Sequence, residues 1–131
     1  MKILNKLIIG FIFIAIIIII FLIFRGNEDS WIKNEKGIYV KHGNPSQIPD
    51  DALKQQDLIN KTLKLYQQEN LKGIEFFSQC LGVIDGYAID VVHVPRIEED
   101  NLAENQCDSF RSREVLHFIE IDQNGNIVRI V

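Results

Sequence analysis

The chain has 131 residues, with 14 Lys and Arg against 18 Asp and Glu, a net charge of −4, two Cys and three His. The first 25 residues hold three of the cations and no acid, so the rest is left with a net charge of −7. That acidity argues against nucleic acid or anionic lipid as a partner of the remainder, and about a hundred residues suffice for one core but not two.

Residues 1–6 are a short basic start, followed by eighteen residues, Leu7 to Phe24, without a polar side chain. Ten of the eighteen are Ile and four are Phe. At about 1.5 Å per residue the run is roughly 27 Å long, close to the hydrocarbon thickness of a bilayer. In lipid the backbone must bond internally, so residues 7–24 are expected to be a transmembrane helix. Lys2 and Lys6 precede it, whereas Arg25 is soon followed by Glu28 and Asp29. This bias places residues 1–6 in the cytoplasm and the remainder outside, on a single-pass inner-membrane topology. A cleaved signal peptide is the rival reading. The run is longer than a usual signal core and lacks an A-x-A-like cleavage site, so a retained anchor is expected.

Residues 25–30 read as a polar spacer and residues 31–131 as one extracytoplasmic domain. Trp31-Ile32 and Ile38-Tyr39-Val40 are β-prone runs around the turn Asn34-Glu35-Lys36-Gly37, predicting a short hairpin. Gly43, Pro45 and Pro49 then interrupt regular structure. Asp50 or Asp51 should cap a helix over 51–71. Its apolar stripe is Ala52, Ile59, Leu63 and Tyr66, widened by Leu58, Thr62 and Leu65, with Gly73 beyond its end.

Four strands should follow. Leu81 to Ile84 and Tyr87 to Val94 flank Asp85-Gly86, a pair suited to a type I′ turn. Pro95 ends the second strand, and residues 96–112 read as a long acidic loop. Glu114 to Ile121 is the third strand. Asn124-Gly125 offers another I′ turn before a last strand, 126–131. In that register Ile121 faces Val128, Glu120 faces Arg129 and Ile119 faces Ile130. The expected fold is α+β: the membrane helix, a hairpin, one amphipathic helix and a roughly four-stranded antiparallel sheet.

Cys80 and Cys107 both lie beyond the anchor. An even count outside the cytoplasm predicts a Cys80–Cys107 disulfide, worth about 3–4 kcal/mol by restricting the unfolded chain. No catalytic constellation is evident. His42, His93 and His117 could ligate a metal, yet no H-x-x-x-H or C-x-x-C spacing supports one. Glu98, Glu99, Asp100, Glu104 and Asp108 do not follow the calcium-loop pattern, and Asp122 to Asn126 is explained by its turn. Asp90 with Glu98 or Glu99 could form a carboxylate pair, although adjacent acids in a loop usually face solvent. Asn60-Lys61-Thr62 matches the glycosylation triplet but falls inside the predicted helix. No cofactor is expected.

Two resemblances add to this. Gly37-Ile38-Tyr39-Val40-Lys41-His42-Gly43-Asn44-Pro45 resembles a G-x-[WY]-V-K-H-G-N-P stretch that follows the anchor in small single-pass bacterial membrane proteins of no assigned activity. The helix 51–71 and the closing hairpin 118–128 are similar in outline to PepSY-like and cystatin-like domains. The second likeness implies a binding, inhibitory or regulatory module, and it carries no functional residues with it. The combined expectation is a membrane-anchored interaction module. Its partners would be the bilayer through residues 7–24 and an envelope protein. A PepSY-like protease inhibitor is the first alternative and a metal-dependent enzyme built on His93, His117 and the acidic loop is the second.

Overall fold

The computed structural model describes residues 2–26 and 29–131, with side chains described for 6–24 and from 29 onward. Helix α1 spans Lys2–Gly26, and its stretch Lys6–Phe24 is long and apolar enough to cross a membrane. None of those 19 residues is buried by protein. Of the expected spacer at 25–30, residues 27 and 28 lie outside the described residues, and Ser30 already belongs to the first strand.

Strands β1 (Ser30–Lys33) and β2 (Tyr39–His42) form the predicted antiparallel hairpin. The Asn34 side chain holds its turn by accepting the N–H groups of Lys36 and Ile38, both at 3.0 Å. Helix α2 (Asp50–Leu71) begins one residue before expectation. Pro49 occupies the cap position and offers no side chain to it. Asp50 and Asp51 instead sit within the first turn, where their charge opposes the positive end of the helix dipole. Gln55 on α2 clamps the hairpin, accepting from Tyr39 N–H (2.7 Å) and donating to Gly37 C=O (2.8 Å).

Strands β3 (Gln79–Ile84), β4 (Tyr87–Val92), β5 (His117–Asp122) and β6 (Ile127–Ile130) lie side by side in that order. The fold is α+β as expected, but the sheet is mixed. Strands β4 and β5 run parallel, in the register Tyr87↔His117 through Val92↔Asp122. A parallel pair needs a crossover, and residues 93–116 supply it. The supposed loop is therefore a structured layer of two 3-10 turns, Glu98–Asn101 and Ala103–Asn105, and a one-turn helix α3 (Asp108–Arg111). Val94–Pro95 within it is cis.

The Asp85-Gly86 turn is type I′, with φ of 49° and 81°. The Asn124-Gly125 turn is not. Only Gly125 has positive φ (82°), and Gly125 N–H bonds to Asp122 C=O at 2.9 Å. This is a type I turn with a glycine bulge. The Asp122 carboxylate favours it by accepting the N–H groups of Asn124 (2.9 Å) and Asn126 (2.8 Å). The extra residue shifts the register, so Glu120↔Arg129 and Ile119↔Ile130 pair as predicted while Ile121 faces Ile127 rather than Val128.

The core lies between α2 and one sheet face: Leu58, Ile89, Val91, Ile119, Ile121 and Ile130 are buried there. The most deeply buried helix positions are Ala52, Leu58 and Thr62. Leu63, expected on the stripe, lies at its margin, half-buried, because the helix is rolled toward the Leu58 side. Thr62 satisfies its buried hydroxyl by donating to Leu58 C=O at 2.9 Å.

Candidate functional site: a polar row beneath the crossover

Side chains alternate along a strand, so the residues between the core positions point to the opposite sheet face. At one level these are Cys80 on β3, Asp90 on β4, Glu120 on β5 and Arg129 on β6, each the register partner of the next. A one-sided sheet would leave such a row in water. Here the crossover covers the middle of the row, and Asp90 and Glu120 are only 8% and 4% exposed.

Three contacts tie the crossover to this row. Cys107 forms a disulfide with Cys80, as predicted, with a Cα–Cα distance of 4.8 Å. Cys107 N–H donates to Asp90 Oδ1 at 3.1 Å. Arg96 Nη1 donates to Glu120 Oε1 at 2.7 Å. From the other side Arg129 meets the same carboxylate with two nitrogens, Nε at 2.5 Å and Nη2 at 3.0 Å. The Arg129 guanidinium also lies 5.0 Å over the Phe118 ring.

The two neighbouring carboxylates titrate in opposite directions. Burial pushes Asp90 up to about 6, and the adjacent Glu120 charge adds to this, against the pull of Cys107 N–H and Arg96. Burial also works against the Glu120 charge, but hydrogen bonds from Arg129 and Arg96 outweigh it and hold this group below the usual range. Between the row and the crossover is a cleft of about 160 Å³, with Val92, Phe110 and Phe118 among its apolar walls and Asp90, Gln106 and Arg129 among its polar ones.

Asp100 is the second polar anchor. It is 2% exposed and accepts from Ile97 N–H (2.8 Å) and His93 N–H (3.1 Å), with His93 Nδ1 at 2.9 Å. Burial opposes its charge, yet these donors prevail and its pKa is lowered.

The remaining sequence candidates do not converge. His117 lies level with Tyr87 and stacks on it at 5.0 Å, whereas His93 follows β4 six residues further on. At about 3.3 Å per strand residue the two are roughly 20 Å apart, far beyond a shared metal. His42 ends β2 at the surface. Glu98 and Glu99 are exposed, and the carboxylate beside Asp90 is Glu120 instead. Among the described residues, the one group with metal-like clustering is Cys80, Asp90 and Cys107, whose ligand atoms lie within 4.8 Å of one another. Both its sulfurs are engaged in the disulfide. Sequence reasoning missed Asp90–Glu120, Arg96 and the Asp100 anchor. The available signal was an acid inside each of two apolar strands, Ile89-Asp90-Val91 and Ile119-Glu120-Ile121.

Comparison with protein-family models, with curated proteins and with solved structures finds no match to this chain.

Proposed function

We propose that this chain is a membrane-tethered binding module of the bacterial envelope, held in the cytoplasmic membrane with residues 1–6 inside and residues 31–131 outside. The observation that carries the reading is the joining of an unburied 19-residue apolar helix to a disulfide-closed domain. A helix that is apolar all round and covered by nothing in its own chain needs lipid around it. A disulfide is retained in an oxidising compartment, which favours the outer side of the membrane. The cleft beneath the crossover offers the partner aromatic walls beside fixed charges, the usual make-up of a recognition site.

Three measurements on intact cells test this. Alkaline carbonate should leave the full chain in the membrane pellet. Protease added to spheroplasts should digest residues 31–131, and their protection would reverse the topology. A photo-crosslinking residue in place of Gln106, on the cleft wall, should join the chain to one discrete envelope protein. Crosslinks to lipid alone would end the binding reading.

A further inference from the structure

The proposed binding role makes no use of the sulfur chemistry at the end of the polar row. Its two cysteines are unlike each other: Cys80 is exposed, while Cys107 is 0% exposed beneath the crossover. Approach from solvent therefore favours the Cys80 side of the bond. The bond that breaks would release Cys107 into a buried site, where a bare thiolate is strongly disfavoured. Two groups already in place remove that obstacle. The Asp90 carboxyl lies within 4.8 Å of both sulfurs, a gap that one water molecule can bridge, and can supply a proton through it. The carbonyls of Ile89 and Gly82 lie 3.5 and 3.6 Å from Cys107 Sγ and can accept the S–H so formed.

We propose that the Cys80–Cys107 disulfide is a reactive site that exchanges with a protein dithiol, attacked at Cys80 while Asp90 protonates the departing Cys107. One thiolate of the dithiol bonds to Cys80 Sγ as the Cys80–Cys107 bond breaks. Cys107 takes the proton from Asp90 and becomes a thiol, leaving Asp90 ionised. The second thiolate of the dithiol then attacks its own first sulfur, closing the substrate disulfide and releasing Cys80 as a thiolate that solvent protonates. Asp90 regains its proton from water in the cleft. Two electrons pass from the dithiol to the cysteine pair, and the protons that the dithiol releases balance those taken up. The crossover stays docked after reduction, because Arg96–Glu120, the Ser78 hydroxyl donating to Glu99 C=O and the Cys107 N–H bond to Asp90 do not involve the disulfide.

The charged groups around Asp90 are Glu120 on β5, Arg96 and Asp100 on the crossover, both lining the same cleft, and, one strand further, Arg129 on β6. Strand β3 contributes none. The carboxyl titrates near 6, so it is a proton donor in mildly acidic solution and loses that capacity above neutrality.

The test uses the full chain in detergent micelles. Glutathione is added, free thiols are alkylated and the adducts are mapped by peptide mass spectrometry. The proposal expects glutathione on Cys80 and the alkyl group on Cys107, with the near-ultraviolet circular dichroism of the folded chain retained. Adducts on Cys107, or reduction that occurs only as the fold is lost, would overturn it. Dithiothreitol then gives the pH profile, with each rate divided by thiolate concentration. The normalised rate should be constant below about pH 6 and fall roughly tenfold above it. Asp90→Asn should show the lower rate throughout. A flat wild-type profile would overturn the proton-donor role, and that measurement stands even if the variant does not fold. Neither assay depends on the partner proposed above, so the two readings fail separately.

Discussion

The two faces of the sheet differ in what they bury: both hold an apolar cluster, and only the crossover face adds a row of buried charges. Under α2 lie Ile89, Val91, Ile119, Ile121 and Ile130, packed by shape and by removal of apolar surface from water. Under the crossover a smaller apolar cluster of Ala88, Cys107 and Val115, with Phe110 and Phe118 against it, encloses Asp90 and Glu120, which are buried too but held by directed bonds from Arg96, Arg129 and Cys107 N–H. The first face needs only suitable side chains at alternate positions. The second places a fixed number of donors opposite a fixed number of acceptors, and any mismatch leaves a charge stranded. Stability is therefore diffuse on one face and, on the other, shared between a small apolar cluster and a few directed bonds.

Substitutions on each side sharpen that contrast. Ile119→Ala on the helix face should cause the largest loss, about 3–4 kcal/mol in urea unfolding, because a fully buried branched side chain leaves a cavity. Asp100→Ala should cost about 2–3 kcal/mol, since it strands the N–H groups of Ile97 and His93 in a covered site. Faster amide exchange at those two positions would identify the cause. Glu120→Gln should cost about 2 kcal/mol by loosening both guanidiniums at once. The Glu120 pKa is lowered in the folded chain, so its contribution is present above the ordinary carboxylate range and is lost as pH falls through the lowered value. The difference between Glu120→Gln and wild type should thus shrink in acid.

Asp90→Asn should act in the other direction, and only at higher pH. The Asp90 pKa is raised, so its favourable contribution is complete below the ordinary Asp value and is lost as pH rises through about 6. The amide keeps an acceptor for Cys107 N–H and removes the buried charge. It should gain up to about 3 kcal/mol at pH 8 and show no gain near pH 4. If all four variants behaved alike at every pH, the two faces would not differ in kind.

The helix face was legible in the sequence because alternation and helical spacing are local patterns. Both strand pairs around Asp85-Gly86 and Asn124-Gly125 and the helix ending before Gly73 followed from them, and the disulfide followed from the pair of cysteines beyond the anchor. The polar face was not, for one reason. Whether Asp90 and Glu120 meet water or protein depends on residues 93–116 folding back over them, and that segment is too short of periodic apolar positions to announce a layer. Reading it as a loop also hid the parallel β4–β5 pair, since a hairpin-only reading makes every neighbour antiparallel. The second turn failed on a finer point: the Asp122 carboxylate recruits the N–H groups of Asn124 and Asn126, and this side-chain preference outranked the Asn-Gly signal.

The β1–β2 hairpin has a further consequence. An outermost strand displays a row of free N–H and C=O groups on which a second chain can assemble. On β6 that opening is closed by the hairpin turn: Ile130 N–H donates to Lys36 C=O at 2.8 Å, and Gly37 sits so close to Ile130 C=O that any Cβ there would collide with it. The opposite outer strand, β3, is bent by a bulge between Cys80 and Gly82, which spoils its use as a template. Two open edges would let copies of a small sheet pair with one another. The hairpin thus works as a guard against polymerisation, and a chain shorn of it would be prone to string its sheets together edge to edge.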